Sequence, residues 1–232
     1  ETNTVFMIIF EKLSSIDYGM DINAKTASSQ PLLDYFNKLI PLSQEEQELV
    51  RSKFHPHLFL KKQFALQHGD VCEYFDFVVR GCLRLYKVDE KGVYHILQFA
   101  TENFWMLDLT SFHKKIKSVL DIDALEDTVV LRINYDDLID LYVKAPKFDR
   151  IFRVLLENHF MQQQERIGQL FSSTAEERYQ SFLETYPHLL NRLSQVQIAS
   201  YLGVTPEFLS RIRSRMAKGL PDPKHLGATE DK

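Results

Sequence analysis

From Phe148 onward, Phe152, Leu156, Phe160, Ile167 and Leu170 recur at helical steps of three and four, with Gln163 as the one polar break in the stripe. That spacing predicts one amphipathic helix of about 25 residues, and at about 1.5 Å per residue it exceeds about 35 Å. A single small domain does not cover a stripe of that length. The pattern therefore asks for a partner helix, and a second copy of the chain supplies one. Gly168 lies inside the stripe. A glycine there costs about 1 kcal/mol relative to alanine, so packing at that point has to offset it.

The texture before this helix is different. A short helix fits Leu32–Leu39, and Ser43 with Glu46 three positions later forms a capping-box pattern for a helix running to about Lys53. From about His57 to Ile133 the segments Tyr74–Val79, Cys82–Val88, Tyr94–Ala100 and Thr128–Ile133 are rich in Val, Ile, Phe and Tyr. Turn signals at Gly69-Asp70, Arg80-Gly81 and Asp89–Gly92 separate them. Short strands with regular turns predict a sandwich or barrel. Residues 1–29 show no sustained period and are expected to form an N-terminal arm without regular order. The apolar run Val5–Phe10 lacks a basic leader and does not read as a signal peptide.

Composition narrows the partners. Lys and Arg number 28 and Asp and Glu 32, a net charge of −4. A nucleic-acid surface on such a chain must be a local patch. The two cysteines, Cys72 and Cys82, are too few for a disulfide framework or a four-cysteine metal site, and they suit a reducing cytoplasm. No apolar run is long enough to predict a membrane span.

The required patch lies near the C-terminus. In Leu193–Met216, Ser194 can cap a helix ending at Leu202, and Gly203 supplies a tight turn. Thr205 can cap a second helix that has Pro206 at its first position, where a missing N–H is harmless. Two short helices joined by a glycine turn make a helix-turn-helix. Projected at about 100° per residue, Leu209, Ile212 and Met216 share one face with Phe208 at its edge, while Glu207, Ser210, Arg211 and Ser214 share the other. Arg213 and Arg215 fall on the flanks. From Arg192 to Lys218 there are five basic residues and one acid, a local excess of 5 − 1 = +4. Short polar groups suit base edges and flanking cations suit phosphates. The plainer alternative is a helical hairpin with a solvated basic face.

The whole order now resembles the Crp/Fnr family of bacterial transcription regulators. The resemblance covers roughly Leu32–Lys218. It rests on FLKKQFALQHGD at 59–70, RGCLRLY at 80–86, ALED at 124–127, ERYQSFLETYP at 177–187 and, above all, QIASYLGVTPEFLSRIR at 197–213. It implies an α+β protein: an N-terminal double-stranded β-helix of the cyclic-nucleotide-binding jelly-roll kind, a long dimerisation helix and a C-terminal helix-turn-helix domain. The expected boundaries are 30–145 for the sensor roll, 146–174 for the helix, 175–218 for the DNA-binding domain and 219–232 for a flexible tail. It implies a cytoplasmic homodimer with double-stranded DNA and RNA polymerase as partners, no membrane and no catalytic residue. The family's recognition helix reads bases with a Glu and an Arg four apart, which match Glu207 and Arg211. Ser194 matches a cap that touches phosphate. With Gln195, Thr205, Ser210, Arg213, Ser214 and Arg215 these make the expected DNA-binding set.

The sensor departs from the pattern. Members that bind cyclic nucleotides carry Gly-Glu and, about ten residues later, Arg followed by Ser or Thr. Here Leu107-Asp108 and Lys117-Ser118 stand at those positions. Leu fills the space that glycine leaves for the ligand. Asp is a methylene shorter than Glu, and Lys cannot make the bidentate phosphate fork of Arg. Cyclic AMP is therefore not expected as a cofactor. The roll holds another effector or none, and Trp105, Leu107, Asp108, Lys117 and Ser118 mark where one would sit. Trp105, with Phe104 and Met106, reads either as core or as a pocket wall.

Other patterns point elsewhere with less support. His55-Pro56-His57 has the spacing of metal-binding cupins, which makes a β-barrel enzyme or metal-binding protein the rival reading. These histidines are expected to precede the strand region, and the next glutamate is Glu73. Two cysteines alone cannot ligate an iron–sulfur cluster. Ser111 and His113 lack a nucleophile elbow. A constitutive DNA binder with an empty roll is a third possibility.

Overall fold

The computed structural model describes residues 28–218. The expected arm falls outside them except for its last two residues, and the expected tail at 219–232 falls outside them altogether.

Two helices lead into the roll. In α1 (Gln30–Leu39) Leu32, Leu33 and Phe36 are buried, and in α2 (Gln44–Lys53) Val50 is. The capping box before α2 forms in full: the Glu46 N–H donates to Ser43 Oγ at 3.2 Å, and the Ser43 N–H donates to Glu46 Oε2 at 2.7 Å.

Eight strands follow: β1 His55–Phe59, β2 Phe64–Leu66, β3 Tyr74–Arg80, β4 Leu83–Val88, β5 Tyr94–Ala100, β6 Trp105–Met106, β7 Asp121–Ala124 and β8 Thr128–Asn134. They form two antiparallel sheets in the orders β1-β8-β3-β6 and β2-β7-β4-β5. The pairs β4·β5, β3·β6, β2·β7 and β1·β8 trace one long hairpin from its tip to its base. The additional pairs β3·β8 and β4·β7 wind that hairpin into a jelly roll. At Gly81, with φ +106°, a Cβ would lie 2.6 Å from the Thr128 Cα, so only glycine fits the sharp corner between β3 and β4.

The expected strands form where β-branched and aromatic residues are concentrated. The histidine pair is corrected, because His55-Pro56-His57 does not precede the strands but sits on β1 itself. β1 tolerates proline because it is an edge strand. Among the described residues no three His, Cys, Asp or Glu side chains gather as a metal site.

β6 carries Trp105, whose ring lies 4.6 Å from Phe75, 5.0 Å from Phe77, 5.6 Å from Phe152 and 6.0 Å from Phe36, centroid to centroid. This aromatic cluster joins α1 and β3 to the start of the long helix α5 (Lys147–Ser172). Trp105 is thus partly buried and packs against the core, which favours its reading as a packing residue over that as a wall of an effector pocket. The short α3 (Leu109–Lys114) and α4 (Tyr135–Lys144) complete this part.

The chain divides into two compact units. The first runs through Val88 and resumes at Leu97–Leu156; the second comprises Asp89–Ile96 and everything from Glu157. The division cuts the apolar stripe of α5. Phe148, Ile151, Phe152 and Leu155 are buried in the first unit. In the second unit Phe160 is 61%, Ile167 53% and Phe171 89% exposed. The stripe therefore does two jobs in sequence: its first turns are core of the roll, and its later turns lack cover among the described residues.

Candidate nucleic-acid interface

The second unit continues with α6 (Ala175–Thr185), a single 3-10 turn at Pro187–Leu189, α7 (Gln195–Leu202) and α8 (Pro206–Ala217). Tyr179, Phe182, Leu189, Leu193, Ile198, Ala199, Leu202, Leu209 and Ile212 form its buried interior. Local chemistry fixes each helix end. Ser194 Oγ accepts from the Gln197 N–H and Gln197 Oε1 from the Ser194 N–H, at 3.3 and 2.7 Å. Gly203, at φ +69°, ends α7 in the left-handed region. Thr205 Oγ1 accepts from the Phe208 N–H at 3.2 Å, and Pro206 opens α8. Arg178 donates to the Leu202 carbonyl at 3.2 Å, placing a cation at the negative end of α7.

These caps aim one face of α8 outward. Glu207, Ser210, Arg211 and Ser214 are exposed, and together with Gln195, Val196, Pro206 and Arg215 they line a shallow open cleft. Leu209 and Ile212 point into the bundle, while Met216 at 36% and Phe208 at 40% remain partly exposed at its margin. Among the described residues the side chains of Glu207, Ser210 and Ser214 have no hydrogen-bond partner, and Arg211 only lies 5.2 Å over the Phe208 ring. Their bonding capacity is unspent. Ser194 and Thr205 accept at their hydroxyl oxygens as caps, which leaves each O–H proton for an outside acceptor.

Two expected DNA-binding residues are committed elsewhere. Gln195 donates to the Pro206 carbonyl at 2.9 Å and so braces α7 against α8. Arg215 is not a free flank cation, because its guanidinium holds Glu176 at 2.8 Å. Arg213 is exposed and has no ion pair among the described residues. Val196, 62% exposed in the cleft, was missed by the sequence reading; its apolar side chain gave no signal that it faces out.

The altered cassette in the roll presents the opposite arrangement. Asp108 caps α3, accepting from the N–H groups of Thr110 at 3.0 Å and Ser111 at 3.2 Å. Its other oxygen accepts the Ser118 hydroxyl at 2.7 Å. Ser111 donates to the Ile116 carbonyl at 2.6 Å and accepts from the Cys72 N–H at 2.8 Å. Asp108, Ser111 and Ser118 are all buried. Leu107 packs against the core, and Lys117 lies exposed on the loop. Burial pushes the Cys72 thiol up to about 11, which makes it a structural rather than a reactive group.

Residues 56–145 match the cyclic nucleotide-binding domain family. The regulatory protein HlyX of Actinobacillus pleuropneumoniae is 29% identical over 171 residues, covering 68% of this chain and 70% of that protein. The anaerobic regulatory protein of Pasteurella multocida is 28% identical over 197 residues, covering 77% and 70%. In structure, FixK2 from Bradyrhizobium japonicum superposes with a TM-score of 0.63 at 20% identity, covering 77% of this chain and 98% of that one. A jelly roll, a long helix and a C-terminal helix-turn-helix follow one another here in the order that the Crp/Fnr architecture has. In sequence and in architecture the chain is similar to transcription regulators of the Crp/Fnr type.

Proposed function

We propose that this chain, as a homodimer, reads a roughly palindromic duplex through the outward face of α8 and that it does so without cyclic AMP. The observation that carries the reading is the unspent polar face of Glu207, Ser210, Arg211 and Ser214 beside the exposed cap of Ser194. Arg211 is placed to bond a guanine through two hydrogen bonds, with Glu207 accepting from a cytosine amino group. Arg213 and the hydroxyls of Ser194 and Thr205 take phosphates. Action is by binding equilibria alone, with no covalent step, and RNA polymerase is the second macromolecular partner. A two-fold dimer sets its recognition helices about 34 Å apart, so half-sites about 10 base pairs apart are expected.

The exposed later turns of α5 support a second copy of this chain as the dimer partner. Phe160, Ile167 and Phe171 form a large apolar face that no described residue covers. Apart from its chain neighbours and the nearby backbone of α5 itself, no described atom lies within 4 Å of a Cβ placed at Gly168, which leaves room there for a close helix crossing. Phe160→Glu combined with Ile167→Glu should split the dimer in analytical ultracentrifugation; a wild type that sediments as a monomer at micromolar concentration ends the dimer reading. The closed Asp108–Ser118 network supports the exclusion of cyclic AMP, because Asp108, at the position of the cassette's Glu, is already spent on Ser118 and on the start of α3. Selection from a random duplex library tests the whole reading: an enriched palindrome that depends on Arg211 is expected, and no enriched sequence with or without cell extract would remove it.

A further inference from the structure

We propose that the hairpin tip Asp89–Ile96 is a positioning element for DNA reading, tied to the helix-turn-helix by Ser200 and Arg166. The inference rests on the DNA-reading role proposed above. All the groups involved lie in the second unit. The Ser200 hydroxyl, on α7, donates to the Tyr94 carbonyl and accepts from the Ile96 N–H at 3.1 Å. Arg166, on α5, donates to the Ile96 carbonyl at 3.0 Å and to the Tyr201 carbonyl at 2.9 Å. Its guanidinium also lies 4.1 Å over the Tyr201 ring.

Each bond answers a local need. β5 is an edge strand, and residues two apart on an edge direct their N–H and C=O groups outward along the same side. Tyr94 and Ile96 are two apart. Tyr201 is next to last in α7, so its carbonyl is among the four that a helix end leaves unpaired. A cation there is also favoured by the helix dipole. The tip is itself stiff. Asp89 Oδ1 accepts from the N–H groups of Lys91 and Val93, each at 2.9 Å, the Asp89 N–H donates to the Val93 carbonyl at 3.0 Å, and Gly92 turns at φ +76°. A rigid tip, the long helix and the first helix of the motif thus meet on backbone atoms, held by two side chains.

This bears on a palindrome and not on a half-site. Reading one half-site needs only a correct α8. Reading two at once needs both recognition helices held at a fixed separation. The tie limits the sway of α7 and α8 on α5, and so narrows the range of half-site spacings the dimer accepts.

The test uses the full chain and the duplex selected from the random library, with the half-sites at the best spacing, at one base pair more or less, and as a single half-site. Ser200→Ala and Arg166→Lys should each weaken binding at the best spacing about tenfold and flatten the penalty at the other spacings. Both variants should leave the single half-site unchanged, and Ser200→Thr should restore the wild-type profile. Equal loss on palindrome and half-site, an unchanged spacing profile, or tighter binding of the palindrome would each overturn the role. Amide hydrogen exchange in the free protein tests the tie without DNA. The Ile96 N–H should exchange about tenfold faster in Ser200→Ala, and an unchanged rate removes the tie. A wild type that selects no duplex overturns the DNA reading and the positioning role together, whereas faster Ile96 exchange in that case still establishes the tie.

Discussion

Asp108, Ser111 and Ser118 in the roll are buried and bond one another and the nearby backbone, whereas Glu207, Ser210, Arg211 and Ser214 on α8 are exposed and find no hydrogen-bond partner among the described residues. Both sets are polar and charged side chains on or beside a helix. In the first, the hydrogen-bonding capacity is consumed in holding a loop, so a ligand would have to break those bonds before making its own. In the second, water is the only competitor, and exchanging water for a base edge or phosphate costs little. A binding surface is recognised by polar capacity left unspent more than by residue type.

The contrast can be broken from either side. The largest effect is expected on the open face: Arg211→Ala should cost about 1–3 kcal/mol in binding per half-site and relax preference at one base pair of each, with thermal stability unchanged. Repeating the duplex selection with the mutant and recording its melting curve checks both halves. An Arg211→Ala protein that melts well below wild type would mean that this side chain is spent after all. On the closed side the sign reverses. Asp108→Ala removes the cap of α3 and the partner of Ser118, and should lower stability by about 1–2 kcal/mol while leaving DNA affinity near wild type. Denaturant unfolding followed by a duplex titration measures it, and undiminished stability would show the network to be idle.

Two smaller effects sharpen the comparison. Arg213→Ala should reduce the salt slope of duplex binding by about one. Arg215→Ala should reduce it by less, because Arg215 is already paired with Glu176. Titrations at several salt concentrations rank the two, and equal slopes would place Arg215 on phosphate despite its ion pair. The smallest effect is a null: cyclic AMP up to millimolar concentration should leave the melting temperature where it is. A ligand at 100 times its dissociation constant adds about 2.7 kcal/mol, so a clear upward shift would show that the cassette opens.

Much of this was legible in the residues. The caps Ser43, Ser194 and Thr205, the turn at Gly203 and the outward face of α8 follow from contacts within a few positions of the chain, which sequence records directly. β1 was missed because a proline and two histidines disguise a strand that needs only an edge to pair with. β6 was missed because two residues carry no periodicity. The role of Trp105 stayed open because an aromatic residue looks the same in a core and in a pocket wall.

The sequence by itself determined the succession of short helices, strand region, long helix and helix-turn-helix, the outward polar face of α8 and the loss of the cyclic-nucleotide pattern, since each depends on local spacing or on residue type. Only the tertiary structure decided that the apolar stripe of α5 is divided between the roll and an uncovered face, that Asp108 is spent on Ser118, that Arg215 is held by Glu176, and that Ser200 and Arg166 grip the hairpin tip. Those outcomes depend on groups far apart in the chain, and which of several possible partners a side chain meets is fixed by packing, which local pattern does not encode.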